Sequence, residues 1–376
     1  MRHARAMTRL PGYHFFGYYG IQPWDVSEDR LLCLEVPFQD RPPGATDRAT
    51  IVLVDCDTRK ILSVAQTLAW NFQQGCMLHW LPRQSEIIYN DRIGDRFASV
   101  VLNVETRERR TLSRPISALS HDGRFGLSLN FARLHAKRPG YGYAGVPDPH
   151  AGQKHPTEDG VCALDLESGE VWLVVSLHDV FDMRGQGEEV RNAELWFNHT
   201  LFNTDGSRFV FLSRFAVGTG RKSAMFTSDL EGSDLRCLID YGLVSHFDWL
   251  DPETILVWAN IKGLGDAFYL VRDGGNDIRK VGEGILTQDG HCSFSPDGRW
   301  ILTDTYPGRD QARELMLFEW KKDNLHSLGK FHSDPALSGE IRCDLHPRWS
   351  RRGSRICFDS THEGSRQLYV MDLQGI

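Results

Sequence analysis

The sequence has no apolar run long enough to cross a bilayer, which excludes a membrane-spanning helix. It also lacks a basic excess: 43 Lys and Arg stand against 50 Asp and Glu, for a net charge of −7. That balance offers no basic face to a nucleic-acid backbone. The N-terminus, Met1-Arg-His-Ala-Arg-Ala-Met-Thr-Arg-Leu10, has no apolar core, so no secretory signal is read there. Cysteine is sparse, with eight residues and no CxxC pair. Cys33, Cys162 and Cys357 fall inside apolar strand patterns, where buried free thiols are expected. The expected location is a reducing, cytoplasmic compartment. No stretch shows amphipathic helical periodicity of useful length.

What is present is repetition. Four segments carry a histidine three residues before an aromatic: His199 before Phe202, His246 before Trp249, His291 before Phe294 and His346 before Trp349. Each aromatic leads into a turn, Asp205-Gly206 or Asp297-Gly298 for example, and an apolar strand follows. The slot recurs roughly every 45 to 55 residues, a period of solenoids and propellers. Three earlier copies place Ile21, Met77 and Ile116 in that slot, so the unit occurs seven times. Second strands read from Leu31–Val36 through Arg355–Asp359, and third strands from Ile51–Asp55 through Leu368–Asp372. The expected fold is all-β, a single seven-bladed β-propeller over residues 1–376 with four antiparallel strands per blade. The last copy ends one strand short at Ile376, so the segment before Gly17 is expected to complete that blade. One long loop, about residues 133–160, interrupts the third blade.

In a propeller the innermost strand starts at the face where the second strand ends. Four histidines in one slot are therefore expected to aim at one mouth of the channel, together with Arg133, Arg214, Asp304 and Tyr306. The aromatics Trp24, Trp80, Phe202, Trp249, Phe294 and Trp349 are expected in the blade-to-blade core. Clustered imidazoles have two chemical uses. One is metal binding, for which His291 and His346 lie on adjacent blades and Cys343 and Asp344 lie just upstream of His346. The other is general base catalysis, which leaves His246 and His199. Arg214, Arg221, Arg342 and Arg348 are candidates to clamp a carboxylate bidentately, with Arg133 a further substrate contact. Tyr141, Tyr143 and Tyr306 are candidate proton donors or sugar contacts.

The motif His291-Cys-Ser-Phe-Ser-Pro-Asp-Gly298 and the motif His346-Pro-Arg-Trp-Ser350, with His246 one blade earlier, resemble the oligogalacturonide lyases. Those are seven-bladed propellers that cleave uronate oligosaccharides by β-elimination. The resemblance implies a divalent metal, manganese in that family, on His291 and His346. It implies His246 as base, helped by an arginine such as Arg214. Two positions depart from the family: Cys343 stands where a glutamine is expected, and Arg348 where a second histidine follows the proline. Arg348 would then supply positive charge itself. The expected partner is an acidic oligosaccharide. A non-catalytic glycan- or protein-binding propeller and a metal-dependent glycan hydrolase remain the alternatives.

Overall fold

The computed structural model describes residues 3–82, 85–185 and 187–373. Their strands form seven four-stranded antiparallel sheets, each built from consecutive chain segments. This is the seven-bladed β-propeller fold that the repeats predict. The chain falls into two compact units. One comprises residues 1–111, 143–145 and 287–376 and holds blades 1, 2, 6 and 7; the other comprises residues 112–142 and 146–286 and holds blades 3, 4 and 5.

In the first unit the N-terminal segment completes the last blade. Arg5 pairs with Val370 and Ala6 with Tyr369, antiparallel. The zipper continues as the Met7 N–H donates to the Leu368 carbonyl at 2.8 Å and the His14 N–H to the Arg366 carbonyl at 2.9 Å. The same segment then does a second job. Tyr13–Phe15 pairs with Leu34–Val36 as the inner strand of blade 1. The sequence places that strand's start at Ile21, but Trp24 only bridges Leu31. The inner strand is thus split, and residues 16–22 leave the sheet between its two parts.

The slot aromatics fasten blades to one another. The Trp80 indole N–H donates to the Pro23 carbonyl at 2.9 Å, Trp249 to Leu201 at 3.4 Å and Trp349 to Ser293 at 3.4 Å. Each bond runs from one inner strand to the preceding one, so the ring packs in the core while its polar edge is satisfied.

Three short helices were not legible as periodicity: Phe131–Lys137, Leu177–Met183 and Glu188–Asn192. Each is two turns or less, too short for a 3.6-residue pattern to show. Local capping marks the first two, while the third starts at Gly187 without a side-chain cap. Asn130 accepts the Arg133 N–H, and Ser176 with Asp179 forms a reciprocal capping box. The blade 3 interruption therefore opens with a helix. It is stapled down by Arg133, whose Nε donates to the Leu195 carbonyl at 2.7 Å. Its Nη1 donates to Asp148 and the His150 carbonyl, and its Nη2 to the Gln153 carbonyl at 2.8 Å. Every nitrogen of that side chain is used internally. The substrate contact expected of Arg133 gives way to this structural role.

Two outcomes follow from these contacts. A chain lacking residues 1–8 loses the outer strand of blade 7 and should be less stable by on the order of 3 kcal/mol or more. Unchanged thermal melting of that truncation would count against the zipper. His79 supplies a pH dependence. Its Nε2 is buried without a hydrogen-bond partner among the described residues, and burial lowers its pKa to about 3. The unfolded chain therefore binds a proton that the folded chain refuses. Stability is intact above about pH 6.5 and falls as the pH drops towards 3, by at most about 1.4 kcal/mol per unit. Melting curves across this window should fall less steeply for His79→Gln than for the natural chain.

Candidate functional site

The histidine slot has a distinctive backbone. Met77, His199 and His346 adopt left-handed conformations, with φ of +51°, +54° and +42°. The inner strands of blades 4 and 5 shift register between Asn198 and Leu201 and between Val244 and Phe247. Such bulges turn a side chain out of the alternating pattern. Met77 shares the twist without a titratable group, so the twist is not made by the imidazole; His199 and His346 use it, and His246 and His291 do not have it.

In the first unit, His291 and His346 come together, their ring centroids 4.2 Å apart and nearly perpendicular. His291 Nδ1 lies 2.8 and 3.0 Å from the two Asp304 oxygens, and its backbone N–H donates to the same carboxylate at 2.8 Å. A neutral imidazole donating from Nδ1 presents its lone pair at Nε2. Gly290 permits this approach, since a Cβ there would lie 1.8 Å from the Asp304 carbonyl oxygen. Burial pushes the His291 pKa down, but Asp304, with Asp344 and Asp289, outweighs it and the net shift is upward. Asp344 is kept ionised against its burial by Arg342 and Arg313, which lie 2.6 and 2.7 Å from its oxygens. Tyr19 stacks on His346 at 6.4 Å and tilts against His291 at 5.3 Å, and Tyr306 lies 5.8 Å from His291.

His291, Asp344 and His346 each offer one donor atom, and the three atoms lie within 4.8 Å of one another. Two imidazoles and a carboxylate suit a divalent first-row cation. The Asp304–His291 pair is the outer-shell bracing such ligands need. Cys343 is not of this group, and burial raises its thiol to about 11, so it stays protonated. Of the two residues flanking the expected site, it is Asp344 that joins the histidines.

Arg348 lies in the same unit but faces inward, 1% exposed. It pairs with Asp359 at 3.0 Å, and Asp359 also accepts the N–H groups of Phe16 and Gly17 at 3.1 and 3.0 Å. The carboxylate contact expected of Arg348 is replaced by an internal one. It anchors the base of the loop that carries Tyr18 and Tyr19. Tyr143 is likewise displaced from its expected role. It is fully buried, accepts from the Asn90 amide at 3.1 Å and meets Phe97 edge-on. Burial holds its hydroxyl pKa well above the ordinary value, which suits packing and not proton donation.

In the second unit, His199 and His246 are both 8% exposed and close enough to interact electrostatically. His246 Nδ1 lies 3.1 Å from the Ser245 hydroxyl. Burial, then Arg214, Arg138, His246 and Arg221, push the His199 pKa well down, so its imidazole is neutral. Arg214 donates to the Val244 carbonyl at 3.2 Å, and Arg221 is exposed on the neighbouring strand. Tyr141 meets His199 edge-on at 5.6 Å. The insertion thus does deliver an aromatic to a histidine, as its position predicts. Tyr19 and Arg138 escaped the sequence reading. Tyr19 reaches the site only because the first inner strand is split. The stretch Gly17-Tyr-Tyr-Gly20 was the available signal.

No family model and no curated protein matches the chain. Solved structures do. An oligogalacturonate lyase from Vibrio parahaemolyticus superposes with a TM-score of 0.68 at 13% identity, covering 99% of this chain and 94% of that one. An oligogalacturonate lyase in complex with manganese gives 0.69 at 15% identity, covering 100% and 94%. An acylaminoacyl peptidase from Pyrococcus horikoshii gives 0.54 at 12% identity, covering 96% of this chain but 51% of that one. The likeness is one of fold.

The cluster has a direct test. The purified chain should take up about one divalent ion per molecule, measured by elemental analysis and titration calorimetry. His346→Ala should abolish uptake, and Asp304→Asn should weaken it by about 10- to 100-fold through loss of the outer-shell bond.

Proposed function

We propose that this protein is a lyase that cleaves a uronate-containing oligosaccharide by β-elimination. The observation that carries the reading is the buried His291–Asp344–His346 cluster braced by Asp304. It occurs in a chain with the fold of two oligogalacturonate lyases, one of them described with manganese. The second support is the pair His199 and His246 set among arginines.

The proton on C5 of a uronate is weakly acidic while the adjacent carboxylate keeps its full charge. A catalyst must neutralise that carboxylate as charge builds on it, and a base must take the proton. Arg214 and Arg221 offer the neutralising charge beside the histidine pair. His246 is the base. His199, whose proton affinity burial and the nearby guanidinium groups depress, serves as a neutral hydrogen-bonding group to the sugar. Tyr141, its ring edge on His199, can return a proton to the leaving oxygen. A divalent cation, manganese on the analogy of the neighbour, would be held by His291, His346 and Asp344 and would supply Lewis-acid charge neutralisation. Tyr19 and Tyr306 line that cluster with rings on which a sugar face can pack.

Two other readings make different predictions. A glycan-binding propeller has no need of a base among guanidinium groups, and a hydrolase yields saturated sugars. Incubation with uronate oligosaccharides, followed by ultraviolet absorbance of an unsaturated product, separates all three. The natural chain should generate the absorbance. His246→Ala should reduce the rate by about 10²- to 10⁴-fold with its melting temperature unchanged. Saturated products would establish hydrolysis, and no cleavage across the panel would favour binding alone.

A further inference from the structure

Arg138 ends the helix that opens the blade 3 insertion, and its guanidinium carbon lies over the Tyr141 ring, 4.1 Å from the centroid. It makes no hydrogen bond or ion pair through its side chain among the described residues, and its Nε is buried without a partner. Yet it is close enough to His199 to depress that imidazole together with Arg214 and Arg221. A guanidinium held over a ring with a buried Nε–H left unpartnered is suited to a planar anion.

Its mounting is rigid. The five contacts of Arg133 tie the start of the insertion to the carbonyls of Leu195, His150, Gln153 and Lys154 and to Asp148. Gly142, just past Tyr141, sits so close to the helix that a Cβ would lie 2.1 Å from the His135 nitrogen. The Arg138–Tyr141 pair is therefore held beside His199 by a tightly packed backbone.

We propose that Arg138 binds the carboxylate of a second uronate, adjacent in the oligosaccharide to the one that Arg214 and Arg221 take. Arg138 is then a specificity-determining residue, selecting acidic chains of at least two uronates over a single acidic sugar. The proposal rests on the lyase reading for the identity of the ligand but not for the binding itself. Three guanidinium groups act electrostatically on His199, and Arg138 is seated on the ring that touches it, so it is free to take a carboxylate of its own through its bidentate fork.

Titration calorimetry tests it with galacturonate, its dimer and its trimer, and with glucuronate- and mannuronate-containing oligomers. The natural chain should bind at least one dimer more tightly than its monomer. Arg138→Ala should weaken binding of that oligomer by about 10- to 100-fold while leaving the monomer almost unaffected. Arg138→Lys, which keeps charge but not the planar fork, should recover only part of the loss. Thermal melting checks that both variants fold. An Arg138→Ala protein that folds and keeps the full chain-length preference overturns the proposal, as does a natural chain that binds no oligomer or shows no preference. The absorbance assay is read separately. Arg138-dependent oligomer binding without an unsaturated product would defeat the lyase reading and leave this one standing. An unsaturated product with no dependence on Arg138 would do the reverse.

Discussion

The constraint on which one histidine of each cluster depends is a local one, the left-handed residue at the head of an inner strand. An ordinary strand sends alternate side chains to opposite faces, and a histidine in it would lie between sheets. The twist at His199 and His346 breaks that alternation. A non-glycine residue in this conformation costs about 1–3 kcal/mol, which the surrounding sheet must offset. Met77 bears the same strain with an apolar side chain. At these three slots the scaffold supplies the orientation, and the residue type decides whether it is used.

The same residue in the same slot then acquires opposite character from its neighbours. His291 is surrounded by Asp304, Asp344 and Asp289, which favour a cation. His199 is surrounded by Arg214, Arg138 and Arg221, which repel one. Both are buried, so neither field is screened by water as it would be at the surface. One cluster is fitted to hold positive charge and the other to receive negative charge.

The repeats were legible because alternation, turns and slot aromatics all recur, and each encodes a local geometry. Asp344 beside His346 was also readable, as were the histidine pairs. Arg133, Arg348 and Tyr143 were misplaced for a common reason. A sequence shows a charge or a hydroxyl but not its partner, and these three spend theirs on Leu195, Asp359 and Asn90. Tyr19 was hidden by the split in the first inner strand, and Arg138 by a helix too short to announce itself. The misses cluster where chain segments distant in sequence meet.

The pairing of Arg5 with Val370 has a consequence for biogenesis. A ribosome makes the first strand long before its partner exists. Until Gln367–Asp372 emerges, Arg5–Ala6 has no sheet to join, and the inner strand of blade 1 that follows it lacks the neighbour to which His14 is bonded. Earlier blades can form as they are synthesised, but the last cannot be completed by local contacts. Such pairing between remote segments is slow, because the chain must lose much freedom before any bond forms. During that wait the outer edge of blade 7 is a bare strand open to other chains. Expression yield should therefore be governed less by the stability of the finished fold than by how long this edge waits for its first residues.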